Sequence, residues 1–154
     1  MRDKLRTQSG VAAVEFAVIL PILVLIGVGI CEFSVIYYDK AMITNASRVG
    51  ARVGIKLTDE PWDDTRTKIE NEIDSYFKNL TSMEFLLLSL GNPSNLTTEK
   101  YITRAPDPST GNYSPGGTLA VTVKYTYTFA VLPNFITSII NPITLTGETV
   151  MVFE

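Results

Sequence analysis

The sequence predicts an α+β protein built on one long N-terminal helix. Three observations carry that prediction: a span-length apolar run from Val11 to Tyr38, helical apolar spacing that continues beyond it, and a strictly alternating segment from Thr118 to Phe129. The chain of 154 residues has room for the helix and roughly a hundred residues of one further domain.

The apolar run, VAAVEFAVILPILVLIGVGICEFSVIYY, carries only Glu15 and Glu32 as charges, and about 20 mostly apolar residues suffice to cross a bilayer. It is longer than the ~7–15-residue core of a cleaved secretory signal and is not followed by that signal's small-residue cleavage site. Beyond it, Met42, Ala46, Val49, Val53 and Leu57 extend an apolar stripe at spacings of four and three. The helix is therefore expected from Val11 to Leu57, a rod of roughly 70 Å against a hydrocarbon core of about 30 Å. Its outer half has an apolar face for a soluble domain or a neighbouring subunit, while Lys40, Arg48, Arg52 and Lys56 share the opposite face.

Small residues recur four apart at Ala13 and Ala17, at Gly27 and Cys31, and at Ala46, Gly50 and Gly54. That spacing lets helix backbones approach closely, within this chain or between chains. Pro21 lacks an amide hydrogen and crowds the preceding turn, with Gly27 and Gly29 one to two turns on. The stretch from Pro21 to Gly29 is the expected kink or unwinding point. Cys31 reads as a small apolar residue of the helix rather than a redox centre.

Glu15 lies four residues into the apolar run, where a lone carboxylate costs a few kcal/mol on insertion scales and so needs a partner. A chain cut after Gly10 would supply one, because Val11 would then carry a new ammonium one helical turn away. In a low-dielectric setting that ammonium could neutralise the carboxylate of its own or an adjacent chain. The bland alternative is a glutamate that snorkels to the interface near the helix start.

These residues resemble a known family. A short polar and basic leader ending in Gly10, then VAAVE with glutamate fifth, then an apolar helix, resembles a class III prepilin signal. More closely, QSGVAAVEFAVILPILVLIGVGICEFSVIYYDKAMITNASRVGARVGI resembles the TadE-like pseudopilins of tight-adherence pili, as does the closing strand-loop-strand ending in Val150-Met151-Val152-Phe153-Glu154. The resemblance implies a prepilin peptidase that cuts between Gly10 and Val11, and a Glu15 needed for assembly or processing. It also implies other pilins and pseudopilins, an inner-membrane assembly platform and membrane lipid as partners. The N terminus is expected in the cytoplasm on this resemblance rather than on charge, because Lys40, Arg48, Arg52 and Lys56 beyond the span outnumber Arg2, Lys4 and Arg6 before it and so do not support that orientation. Val11 stands where many type IV pilins carry a methylated phenylalanine. The major subunits of such pili are little more than the N-terminal helix, so a chain with a further domain is expected to be a minor subunit.

The domain organisation follows: a leader over 1–10, a transmembrane and projecting helix over 11–57, and a soluble α+β domain over 58–154. Within that domain, TDEPWDDTRTKIENEIDSYFKNL reads as a second helix with Thr58 or Asp59 as cap and Pro61 in its first turn. Trp62, Thr65, Ile69, Ile73, Tyr76 or Phe77, and Leu80 mark its buried face. Strands are expected at Ser82 to Leu90, Lys100 to Arg104, Thr118 to Phe129 and Ile143 to Phe153, forming an antiparallel sheet. A short loop or helix is expected around Leu132 to Ile140. In the third strand Leu119, Val121, Val123, Tyr125, Tyr127 and Phe129 alternate with polar or small residues, which buries one face. The segment from Arg104 to Thr118 is dense in proline, glycine and serine and reads as an exposed loop.

Composition narrows function by exclusion. With no histidine and one cysteine the chain lacks the usual general base, the common zinc ligand sets and an internal disulfide, so no catalytic site, metal or cofactor is expected. A net charge of −3 without a basic patch argues against nucleic acid. Two readings remain: a minor pilin or pseudopilin that works by helix packing to initiate or cap a pilus for surface adhesion, or a signal-anchored envelope protein whose soluble domain binds a ligand or surface.

Overall fold

The computed structural model describes residues 2–57, 61–79, 98–106, 116–127, 129 and 141–153, with the side chains of residues 2–9 and 98 left aside. Five elements are present among them: helices α1 (Arg2–Gly54) and α2 (Trp62–Lys78), and strands β1 (Thr98–Ala105), β2 (Thr118–Tyr127) and β3 (Ile143–Val152). The layout is α+β. Two compact units are distinguished, one running along α1 as far as Ser34, the other taking in α1 from Val35 onward with α2 and the strands.

Helix α1 has 53 residues, and at 1.5 Å per residue it is about 80 Å long. It begins within the basic leader and ends at Gly54 rather than Leu57, and it stays helical through Pro21, Gly27 and Gly29. The last turns tighten as Lys56 N–H bonds the Val53 carbonyl and Leu57 N–H the Gly54 carbonyl, spacings of three that end the helix.

In the second unit the buried face of α1 is drawn by Met42, Ile43, Ala46, Ser47, Gly50, Ala51 and Gly54, whereas Val49, Val53 and Leu57 are only half-buried. The stripe anticipated from sequence is thus rotated toward the smaller residues. The reason is close packing: a Cβ on Gly50 would stand 2.8 Å from Ile73 Cδ1, and one on Gly54 would stand 2.3 Å from Leu119 Cδ2 and 2.7 Å from Ile69 Cδ1. Helix α2 answers with Thr65, Ile69, Ile73 and Phe77, all buried at spacings of four, so Phe77 rather than Tyr76 completes its inner face. Ile69 and Ile73 are fully covered, and each such burial stabilises the fold by about 1.5–3 kcal/mol.

Pro61 is the residue just before α2, outside the first turn where it was expected, and makes no side-chain cap; its carbonyl accepts the Thr65 N–H at 3.0 Å. The candidate caps Thr58 and Asp59 lie outside the described residues, as do Leu80, the expected strand from Ser82 to Leu90, most of the exposed loop and the segment from Leu132 to Ile140.

The sheet is antiparallel with order β1-β2-β3. Central strand β2 alternates as read from sequence, burying Leu119, Val121, Val123, Tyr125 and Tyr127. Its register sets Val121 opposite both Ile102 and Thr149, and Tyr125 opposite Leu145. Gly116, at φ 88°, lies before β2 in the left-handed region, and its N–H donates to the Phe153 carbonyl at 2.8 Å. That bond extends the β2–β3 pairing past the strand ends.

Candidate functional site

The apolar run of α1 is the first feature to weigh, because its chemistry differs from that of an ordinary core helix. None of the most hydropathic stretch is buried within the chain, and Phe16 and Phe33 are 61% and 73% exposed. A core helix of similar composition would be largely covered. This helix is long and apolar enough to cross a membrane, and its surface is matched to lipid or to other apolar helices.

The residues singled out from sequence lie along that helix. Gly10 and Val11 sit within α1 on exposed surface, and Glu15 follows one turn later, also exposed within the chain. Gly10, Gly27 and Gly29 have open space where a Cβ would be, so among the described residues no packing requires glycine there. Cys31, read from sequence as a small apolar residue of the helix, is exposed on the same surface. Ala46, Gly50 and Gly54 behave differently. All three are buried in the second unit, and the two glycines meet Ile69, Ile73 and Leu119 of this same chain.

Past the apolar run, the outward face of α1 carries Lys40, Asn45, Arg48 and Arg52, all exposed, and Lys56 is exposed in the turn beyond Gly54, as the spacing of the basic residues indicated. Lys40 reaches across to donate to the carbonyl of Thr146 on β3.

The inward face holds polar groups that sequence reading did not single out. Ser47 Oγ donates to the Thr44 carbonyl at 2.8 Å and pairs with Thr149 Oγ1 at 2.7 Å, tying α1 to β3. Gly147 lies against the α1 backbone, where a Cβ would stand 2.7 Å from the Ile43 carbonyl carbon and oxygen. Asp39 is wholly buried, and neither of its carboxyl oxygens has a hydrogen-bond partner. Burial pushes its pKa from the usual carboxylate range up to about 7. Burial and the Asp39 charge together push Tyr125 up to about 12. The spacing carried a signal, since Asp39 lies three residues before Met42 and four before Ile43, on the buried stripe.

At the other end of the sheet the Arg104 guanidinium lies 4.9 Å from the Phe153 ring centre and 5.9 Å from that of Trp62. This is a cation–π clasp that joins β1 to α2 and the chain end. Trp62, Ile102, Thr103 and Arg104 line a hollow of about 420 Å³ beside it. Among the described residues no group of three or more histidine, cysteine, aspartate or glutamate side chains could hold a metal ion.

No curated protein and no solved structure matches the chain. A family model does match its N-terminal helix. Residues 10–52, from Gly10 through the apolar run to Arg52, match the family described as TadE-like protein, consistent with a TadE-like pilin of tight-adherence pili.

Proposed function

We propose that this chain is a minor pilin or pseudopilin of a tight-adherence pilus, cut after Gly10 by a prepilin peptidase and assembled through α1 to initiate or cap the fibre for surface adhesion. The observation that carries the reading is the placing of the family match: it opens on Gly10, with Glu15 five residues on, along a helix whose apolar surface is left uncovered by the chain itself. Such a helix stays in lipid as a single span before assembly and packs against other pilin helices afterwards. In this reading the N terminus faces the cytoplasm, the α+β domain lies outside the inner membrane, and the assembly platform receives the cleaved subunit.

Glu15 has a physical task in that scheme. Its carboxylate, buried among helices, pairs with the Val11 ammonium of a neighbour and so reports axial register between subunits. A domain of this size suits a tip or initiation complex better than a thin shaft. The test is N-terminal mass spectrometry of the native membrane protein together with quantification in sheared fibres. A chain beginning at Val11 and present far below the short major pilin is expected. An intact Met1 in cells with active peptidase would favour the signal-anchored envelope protein instead, and near-equal stoichiometry along the shaft would remove the minor-subunit role.

A further inference from the structure

The groups on α1 that face the sheet include one that packing alone does not explain. At Ile43 and Gly147 the helix and β3 are in backbone contact, and one turn earlier on the same face stands Asp39, which directly follows the apolar run in the chain. A leucine or alanine there would satisfy packing. A carboxyl with no exposed surface and no hydrogen-bond partner on either oxygen is tolerable when neutral and costly when charged. From the geometry we propose that Asp39 is a proton-operated latch, holding α1 against β2 and β3 when its carboxyl is neutral and loosening that end of the contact when it ionises.

The surroundings offer the charged form little relief. On β2 the titratable groups turned toward α1 are Tyr125 and Tyr127, while Lys124 lies on the opposite face over the Tyr101 ring at 4.4 Å. Inward from β3 come Leu145 and Gly147, neither of which titrates, and Glu148 is exposed. Helix α2 contributes Tyr76, whose hydroxyl reaches the Met42 sulfur, and Asp74, which is paired with Lys100. On α1 itself Lys40 is engaged by the Thr146 carbonyl, and Glu32 stands seven residues earlier. No cation is placed to hold an Asp39 carboxylate among the described residues. Tyr125 does not compete for the role, because its phenol stays neutral across the range in which Asp39 titrates.

The sign follows from linkage. Asp39 binds its proton more tightly folded than unfolded, so its contribution is fully present below the ordinary carboxylate pKa of about 4. It is lost as pH rises through about 7, and above that the charged carboxyl opposes docking. The latch therefore makes the domain more stable at mildly acidic than at mildly alkaline pH, the reverse of a salt-bridged aspartate. This inference rests on the fold and not on the assignment to a pilus.

The test uses the full chain in neutral detergent micelles. Thermal melts of wild type from pH 5.5 to 8.5 should fall by on the order of 5 °C or more. Hydrogen exchange, corrected for its intrinsic pH dependence, should show protection lost in peptides covering 39–54 and 143–152. Asp39→Asn, which keeps the shape of the neutral carboxyl, should flatten the profile and raise the melting temperature at pH 8. Parallel profiles for wild type and variant would overturn the proposal. Should Asp39→Asn fail to fold, carbon-13 NMR of wild type labelled at aspartate carboxyls decides the matter. One aspartate titrating near 7 supports the latch, and all of them titrating near 4 overturns it.

Discussion

Gly147 on β3 and Ile43 on α1 meet backbone to backbone, with no room for even a methyl group between them. A Cβ at 147 would stand 2.7 Å from the Ile43 carbonyl and 2.8 Å from the Thr44 nitrogen, atoms that cannot swing aside as a side-chain tip can. Gly147→Ala must therefore push the strand from the helix. A loss of about 1–3 kcal/mol is expected, read as a lower melting temperature of the full chain in micelles. An unchanged melt would show that the contact is looser than described.

Gly54 gives a second test at the far end of the same face. A side chain there would strike Leu119 and Ile69, both fully buried and so hemmed in by their own neighbours. Gly54→Val should cost a similar amount, about 1–3 kcal/mol, and Gly54→Val with Leu119→Ala should recover part of it. Gly27→Ala, by contrast, has open space to fill and should leave the melt unchanged or slightly raised.

Ser47 and Thr149 form a hydroxyl pair across the helix–strand contact at 2.7 Å. Ser47→Ala should cost about 1 kcal/mol, because Thr149 then keeps a half-buried hydroxyl without this partner. A double-mutant cycle with Thr149→Val measures the coupling, and a coupling of zero would mean that the two hydroxyls only share space.

The processing prediction is independent of the fold. Gly10→Leu puts a bulky side chain at the scissile position and should leave the precursor uncut on immunoblots, without loss from the membrane. Glu15→Ala should also remain in the membrane while abolishing association with other pilins and the appearance of pili. Pili at wild-type number in a Glu15→Ala strain would dismiss the carboxylate–ammonium pairing.

What the sequence by itself determined is what depends on local period and composition. The apolar run from Val11 to Tyr38 needs no tertiary partner to be read as a span, and the alternation of β2 from Leu119 to Tyr127 is its own record of one buried face. The helix end was legible only to within a turn, since Leu57 has helix-compatible spacing while tightened bonds close α1 at Gly54. Tertiary structure decided which of several possible stripes faces inward. Val49 and Val53 are the more apolar choice, yet Gly50 and Gly54 win the core positions because α2 and β2 approach too closely for larger groups. The same approach buries Asp39, sets Gly147 against a helix backbone and closes Trp62 and Phe153 around Arg104. Each depends on a segment distant in the chain. A residue's own type and spacing say that it could be buried, but only the partner that arrives from elsewhere settles whether its charge, its hydroxyl or its missing side chain matters.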